Sequence, residues 1–343
     1  MTSDWTGHRD ESLRVDLLDS RDRMVGEMGS VEGGTVEYSI YDRIRSGGKL
    51  SLVVGAGEAE PDWLSARVKV WYQCVGRPDQ PLGVFLPASP RVARHDGYST
   101  REIELYDKLL VLDQQTTTTA VSFPAGQVVT DALRTVLGWT GETNLAVTDS
   151  TEALRSPMTW EPRTPLLTIC NDLLDAINYF ALWCDGDGKY VAQPYTSPSQ
   201  RGVAWDFTGR QALYLPDVDE DADYYSVPNR FTAVSTSTPD TAALVAVAED
   251  WTSRFGRTAR GRWVDASQDD IETTSADVLQ AVADRRLADA QQVTSTDQID
   301  HPWLPVRLND VVTRDGVRAV VTKQAVSLAL PGVLATSTLR RLL

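Results

Sequence analysis

The chain has 343 residues, of which 42% are hydrophobic and 24% are charged, and its formal net charge is −15. This length exceeds one typical domain and predicts two or three, and the hydrophobic content is enough to bury a core. Because the chain is acidic and has no run of lysine and arginine that would form a basic patch, we expect no specific binding to nucleic acid and no attraction to anionic membranes.

Cysteine usage and the first residues are typical of a soluble protein made in a reducing cytoplasm. Cys74, Cys170 and Cys184 cannot all pair, and no two of them are spaced as CxxC. Cys170 lies among leucine and isoleucine residues, where a small buried side chain is expected rather than a nucleophile. Residues 1–18 contain no apolar signal core, and no stretch approaches about 18 apolar residues, so no membrane anchor is expected.

Residues 1–116 are predicted to form a first barrel-like β domain. Short segments with strand-like alternation recur about every ten residues and are separated by polar or glycine-rich turns. They lie at 13–20, 23–28, 35–44, 49–55, 66–76, 82–89 and 100–115. In the last segment Ile103, Leu105, Leu109 and Val111 are expected on the inner face, which predicts a strand to its end.

Residues 117–202 are predicted to form a small α/β domain with two helices and a hairpin. The stretch QVVTDALRTVLGW places five apolar residues on one stripe at helical spacing, and Gly138 follows as a stop. These residues are Val129, Ala132, Leu133, Val136 and Leu137. A second helix is predicted over 165–183, where Pro165 suits the first turn.

The segment WCDGDGKYVAQPY, residues 183–195, raises the question of a calcium loop. Counted from Asp185, the third position is Asp187, but the fifth is Lys189 and the twelfth is Thr196, where such a loop needs oxygen ligands. Two glycines between strand-like runs are typical of a tight turn. We therefore predict a hairpin here, and no metal site.

Residues 203–343 are predicted to form a second barrel-like β domain that contains one helix. The acidic segment 217–223 is expected to be a solvated loop, with calcium binding as a minor alternative. Residues 255–267 are predicted to be a connector rich in glycine and arginine. A capping box of Thr274 and Asp277 is expected to start a helix, and Arg314-Asp315-Gly316 predicts a hairpin turn. The predicted fold class is mainly β, of the α+β type.

No catalytic, cofactor-binding or metal-binding residue is predicted. His8, His95 and His301 lie in unrelated polar or turn contexts, and the chain contains no HExxH, GxSxG or paired CxxC motif. Residues 55–60, GAGEAE, precede Pro61 rather than a helix, so they do not form a phosphate loop. The ten tryptophans are expected to pack in cores or interfaces, with a sugar-binding platform as the alternative.

Three pairs of phrases give the chain a resemblance to the central hub of bacteriophage tails, a family of minor tail and baseplate hub proteins. LRVDLLDSRDRMVGEM with VEYSIYDRIRSGGKLSLVV resembles the opening of the hub's first barrel. VPNRFTAVSTS with VAVAED, and ADVLQAVADRRLADAQQ with DHPWLPVRLNDVV, resemble its later strands and closing helix. Residues 141–163 match no part of that pattern.

The resemblance implies a structural virion protein without enzymatic activity. It implies a homotrimer whose ring adapts a sixfold tail tube to a threefold tip, with a channel for the tape-measure protein and DNA. The implied partners are the distal tail protein ring, the C-terminus of the tape-measure protein and other minor tail or fibre proteins, and the implied location is the tail tip, assembled in the host cytoplasm. A tail-associated peptidoglycan hydrolase and a sugar-binding receptor protein remain alternatives, and the tail morphology stays open.

Overall fold

The computed structural model describes residues 5–28, 30–55, 61–208, 214, 225–237, 242–271, 273, 275–291 and 296–342. Over this part of the chain the fold is mainly β, as predicted: one large sheet, three small sheets and five helices. Across the same residues, no helix is long and apolar enough to cross a membrane. The predicted acidic loop at 217–223 and most of the GAGEAE segment lie outside the described residues.

Seven strands occupy the first third of the chain, and their side chains alternate between buried and exposed positions, so one face of the sheet is covered. They are β1 (Glu11–Leu18), β2 (Met24–Glu27), β3 (Ser30–Ser39), β4 (Ser46–Gly55), β5 (Arg67–Cys74), β6 (Gln80–Arg94) and β7 (Tyr98–Asp107). Neighbours are antiparallel in the order β2-β1-β5-β6-β7-β4-β3. Because β1 also contacts β3, this part of the sheet curls toward a barrel.

The middle of the chain forms a small α/β region. Its elements are α1 (Leu109–Gln114), β8 (Val121–Phe123), α2 (Val129–Gly138), β9 (Leu145–Val147), β10 (Met158–Trp160), α3 (Leu166–Asp175), β11 (Trp183–Cys184) and β12 (Tyr190–Ala192). All five residues of the predicted α2 stripe are buried, which confirms the helical spacing. Strand β12 pairs with β11 on one side and lies parallel to β9 on the other.

Two boundaries in this region differ from the sequence-based predictions. The segment that was expected to continue as a strand is helix α1, because Asp107 accepts the N–H of Leu109 and the side chains of Leu109 and Leu112, three apart, both face the core. Helix α3 ends at Asp175 rather than at 183, because Asn178 takes a φ of 55° and the chain then becomes extended.

Within its described residues, the last region carries ten elements. They are β13 (Val203–Asp206), β14 (Arg230–Ser235), β15 (Val245–Glu249), α4 (Arg257–Arg260), β16 (Asp265–Ile271), α5 (Ala276–Gln291), β17 (Thr296–Pro302), β18 (Val311–Arg314), β19 (Val317–Ser327) and β20 (Leu334–Arg341). Strands β15, β14 and β16 form a separate small sheet, and α5 packs against β14 and β15. The segment 255–267, which was predicted to be a connector, instead contains α4 and the start of β16.

Local sequence signals at one turn and at the start of one helix agree with the structure. The hairpin predicted at Asp315 and Gly316 is confirmed: φ angles of 51° and 78° close β18 onto β19. The helix predicted near 276 is also confirmed as α5, and the Ser275 hydroxyl accepts the N–H of Val278 at its start. Thr274, the residue predicted to cap it, lies outside the described residues.

The first and last β regions are joined edge to edge. Strand β19 pairs antiparallel with β3, and Val36 lies opposite Val326. Together with β13, β17, β18 and β20, this brings the strands of both regions into one sheet, which has twelve strands within the described residues. The boundaries 1–116, 117–202 and 203–343 stay predictions, but the outer two regions share a sheet.

Three groups of buried side chains follow this arrangement. The largest contains residues of both outer regions, among them Val36, Leu50, Ile299 and Val326. A second lies among α1, α2, α3 and their short strands, and a third lies between α5 and the β15-β14-β16 sheet. Burial of apolar area at roughly 25 cal/mol per Å² is the main stabilising contribution in each.

Candidate functional site

A cleft of about 740 Å³ lies between the small α/β region and the large sheet. Its walls come from the start of β6, from the β11–β12 hairpin and from the segment between β17 and β18. Large flat or rigid side chains line it: Tyr38, Pro81, Phe180, Trp183, Pro194 and Trp303. Charged, amide and hydroxyl side chains make up much of the rest, so the lining is mixed polar and apolar.

The DGDG segment forms one wall of this cleft and is a hairpin turn, as predicted. The Asp185 carboxylate accepts the N–H groups of Asp187 and Lys189, each at 2.9 Å, and Cys184 pairs with Tyr190 across the two strands. The Asp187 carboxylate lies 2.7 Å from Lys69 Nζ on β5. Both carboxylates of the motif are therefore engaged in turn and ion-pair contacts.

The two glycines of this turn also permit close packing. A Cβ on Gly186 would lie 2.3 Å from the carbonyl oxygen of Pro81, which is closer than side-chain carbons approach backbone oxygen. Gly188 takes a φ of 73° and lies against Val84 on the same strand. The sequence predicted the turn, but not that its glycines let the hairpin contact β6.

A closed network of four charged side chains, three of them buried and Asp22 half-buried, lies behind the hairpin. Lys108 Nζ contacts carboxylates of both Asp22 and Glu142, the latter at 2.9 Å. Arg67 contacts the same two residues, at 2.7 Å from Asp22 and 2.5 Å from Glu142. Lys108 Nζ also donates to the Gly188 carbonyl, 3.0 Å away, so the network joins the sheet, α1 and the hairpin turn.

Asp107 and Cys184 lie next to each other at the bottom of the cleft. Ser46 donates to the Asp107 carboxylate at 2.6 Å, yet burial outweighs this contact and raises the pKa of Asp107. Burial, together with the nearby Asp107 charge, raises the pKa of the Cys184 thiol well above its ordinary value. A nucleophilic cysteine needs the opposite shift, so this pair is suited to structural packing.

The remaining polar groups of the cleft carry both signs of charge. Arg45, Arg201, Arg307 and Asp310 all line it. Burial lowers the pKa of Arg45 and Arg201 and raises the pKa of Asp310. Arginine beside aromatic side chains is a composition that is enriched where proteins bind proteins.

None of the three histidines lines the cleft. His8 is exposed, and His95 stacks on Tyr98 with ring centroids 4.7 Å apart. His301 is buried, where its Nδ1 lies 2.8 Å from the Pro302 carbonyl and its Nε2 lies 2.8 Å from the Ser337 hydroxyl. Since a carbonyl only accepts, Nδ1 carries the proton and Nε2 accepts from Ser337.

The tryptophans, which were expected to pack in cores or interfaces, occupy several environments. Trp303 stacks on Tyr72 with centroids 4.3 Å apart, and Trp71 donates to Asp16 at 2.7 Å. Trp183 lines the cleft, whereas Trp251 is 52% exposed and meets Trp263 edge to face. Among the described residues, no three histidine, cysteine or acidic side chains gather as a metal site.

A surface that the sequence analysis missed lies beside Trp251. Four arginines fall within nine residues, at Arg254, Arg257, Arg260 and Arg262, although no basic patch was expected. No two of the four arginines are adjacent in the sequence, so they do not form a basic run. In the structure the chain reverses through α4, and this brings all four into one loop. The close RxxRxxRxR spacing is the signal that a search for uninterrupted runs overlooks.

No protein-family model and no curated protein sequence matches the chain. Solved structures do match it. A tail protein from Neisseria meningitidis MC58 gives a TM-score of 0.66 at 14% identity and covers 96% of both chains. The 43 kDa tail protein of prophage MuSo2 from Shewanella oneidensis gives 0.63 at 13% identity over 95% of this chain and 98% of the other.

A third match comes from outside phages. It is an E. coli component of the type VI secretion system, itself described as similar to the T4 bacteriophage tail proteins gp27 and gp5. It gives a TM-score of 0.56 at 11% identity and covers 96% of this chain and 76% of the other. The resemblance inferred from sequence is thus confirmed at the level of architecture: the chain has the fold of bacteriophage tail proteins.

Proposed function

We propose that the chain is a structural protein of a phage-type tail, in which it forms the hub at the tail tip. The observation that carries this proposal is the extent of the match, because the likeness to the Neisseria tail protein covers 96% of each chain. The whole architecture, including the small α/β region and the shared sheet, is therefore of the tail-protein type rather than one common module.

In this proposal three copies form a ring and carry no enzymatic activity. Each copy has two outer β regions, so a ring of three copies would present six β units to a sixfold tail tube. The expected neighbours are the distal tail protein ring above it, the tape-measure protein within it, and other minor tail or fibre proteins below it. The expected location is the virion tail tip, and the cleft is a contact surface for one of these neighbours.

The first experiment measures the native mass of the purified chain by mass spectrometry or sedimentation. A species of three times the 37.8 kDa chain mass supports the ring. A monomer at all concentrations up to roughly 100 μM, both alone and with the distal tail protein, contradicts it. Labelling of intact particles with an antibody to the chain then distinguishes the tail tip from the rest of the virion.

A second experiment addresses the alternative of wall hydrolysis. We expect no clearing when the purified chain is run in a gel containing bacterial cell walls, with a known wall hydrolase as the positive control. A clear band at the mass of the chain, lost when a single acidic residue of the cleft such as Asp185 is replaced by asparagine, contradicts a purely structural role.

A further inference from the structure

The small β15-β14-β16 sheet has two differently charged ends. At one end, β14 begins with Arg230 beside the loop that carries Arg254, Arg257, Arg260 and Arg262; we call these four residues the arginine end. At the other end, Ser235 of β14 lies opposite Ile271 of β16. Asp265, which pairs with Arg230, and Glu249 and Asp250 also lie at this end, where five arginines outnumber the three acids.

Buried polar contacts hold the arginine end in shape. Asn229 has no exposed surface, and its side-chain amide donates to the carbonyls of Phe255 and Arg262, at 2.8 and 3.0 Å. Its side-chain oxygen accepts the N–H of Val264 at 2.8 Å. One buried side chain thus fixes both arms of the loop, which reduces the entropy lost when the arginines bind a partner.

Aromatic rings orient the guanidinium groups. Arg257 lies over the Trp263 ring at 6.0 Å, and Arg262 lies over the Tyr225 ring at 4.8 Å. Trp251 is half exposed beside them. Arginine next to an exposed tryptophan is the composition that is enriched where proteins bind proteins.

The opposite end of the sheet is acidic. Asp269 and Asp270 are exposed just before β16 ends, and Asp277 is exposed in the first turn of α5 shortly afterwards. We call these three residues the acidic end. The same small unit therefore carries an arginine end and an acidic end on opposite sides.

We propose that the arginine end of one copy binds the acidic end of the next copy in the ring. The inference rests on the proposed function, since it assigns the contact by which the copies associate. A contact between two different ends is heterologous, so its repetition generates a ring when the rotation closes. The contact also offsets the long-range repulsion between copies that each carry a net charge of −15.

A nucleic acid is the less favoured occupant of the arginine end. Proteins that bind single strands stack bases on open aromatic faces, whereas guanidinium groups already lie over the Trp263 and Tyr225 rings. The overall charge of the chain also opposes the approach of a polyanion. A copy of the same acidic chain, by contrast, supplies the opposite charge at a defined place.

The test compares the assembly of purified full-length chains by sedimentation over a range of concentrations. The variant is Arg257→Glu with Arg262→Glu, and the matched control is Arg91→Glu with Arg94→Glu on β6, which makes the same charge change at exposed positions. We expect assembly of the first variant to weaken at least tenfold and the control to assemble like the wild type. The difference should shrink in 1 M NaCl, where the screening length is about 3 Å.

A charge exchange separates loss of contact from loss of folding. Adding Asp269→Arg and Asp277→Arg to the first variant places two arginines at the acidic end, opposite the two introduced glutamates, and we expect assembly to recover at least in part. If wild type and Arg257→Glu/Arg262→Glu form the same trimer, this inference is wrong while the proposed function stands. A wild type that stays monomeric would contradict both this inference and the proposed trimeric ring.

The same variants test whether the arginine end binds nucleic acid instead. Suppose that a labelled single-stranded DNA binds the wild type but not Arg257→Glu/Arg262→Glu, and that the two assemble equally. The arginine end then binds nucleic acid, and our assignment is overturned. Weaker assembly without any DNA binding by the wild type supports the contact between copies.

Discussion

Lys108 Nζ lies 2.9 Å from Glu142 Oε2, and both side chains are buried at the junction of the large sheet and the small α/β region. Removal of one member of a buried ion network leaves a charge uncompensated in a medium of low polarity. The ion pair therefore stabilises the packing of the small α/β region, which forms one wall of the cleft, against the large sheet.

Replacement of Lys108 by methionine should lower the free energy of unfolding by about 3–5 kcal/mol, because Asp22 and Glu142 would then share Arg67 alone. The control is Arg23→Ala, which removes an exposed pair with Asp19 and should cost less than about 1 kcal/mol. Urea unfolding followed by tryptophan fluorescence measures both. A Lys108→Met variant as stable as the control would show that water compensates the network.

Gly186→Ala should destabilise the chain by about 1–3 kcal/mol, because the new methyl group meets the Pro81 carbonyl at the contact between hairpin and sheet. Gly138→Ala at the end of α2 is the control, since no atom lies within 4 Å of its added Cβ, and its stability should stay unchanged or rise by up to about 1 kcal/mol. Thermal unfolding compares the two. Equal melting temperatures would mean that the hairpin moves without cost.

His301 should make the chain less stable as the pH falls. Burial lowers the pKa of His301 below its ordinary value of 6.5, so the unfolded chain takes up a proton more readily than the folded one. The stabilisation is present above about pH 6.5 and is lost below it, at up to about 1.4 kcal/mol per pH unit.

The measurement is the melting temperature between pH 7.5 and 5.5 for wild type, His301→Gln and His95→Gln. Buried carboxylates such as Asp107, whose pKa is raised, change stability in the opposite direction. Because that contribution is common to all three chains, subtracting the His301→Gln curve isolates the histidine. The His95→Gln curve should follow the wild type; a His301→Gln curve that also follows it would contradict the prediction.

Asn229→Ala should loosen the arginine loop without unfolding the whole chain. It leaves the carbonyls of Phe255 and Arg262 and the N–H of Val264 without their side-chain partner, at about 1–3 kcal/mol for each buried group left unsatisfied. Hydrogen exchange should become faster at Val264 and remain slow in β4. Thr258→Ala, an exposed change in the same loop, should leave both rates as they are.

Features that depend on local chemistry could be predicted from sequence. The stripe in α2 needed only helical spacing, and the turns at Asp185–Gly188 and Asp315–Gly316 needed only residues that tolerate positive φ. Helix α1 was missed because alternation and helical spacing cannot be distinguished over a segment as short as Leu109–Gln114. There the Asp107 carboxylate stabilises the helix by accepting the N–H of Leu109 at its start.

Features that depend on distant contacts could not be predicted. Nothing in β3 identifies β19 as its neighbour, since both show the same strand-like alternation. The cleft brings together Pro81, Trp183 and Trp303, which come from three distant parts of the chain. The buried charges were equally hidden, because Lys108 and Glu142 resemble surface residues until folding brings them together.

The pairing of β3 with β19 also determines how late in synthesis the large sheet can be completed. Val36 leaves the ribosome long before its partner Val326, so this edge of β3 stays unpaired while the residues between them are synthesised. An unpaired edge of this kind is a template for wrong pairing with other nascent chains. Completion of the large sheet is thereby delayed until β19 has been synthesised.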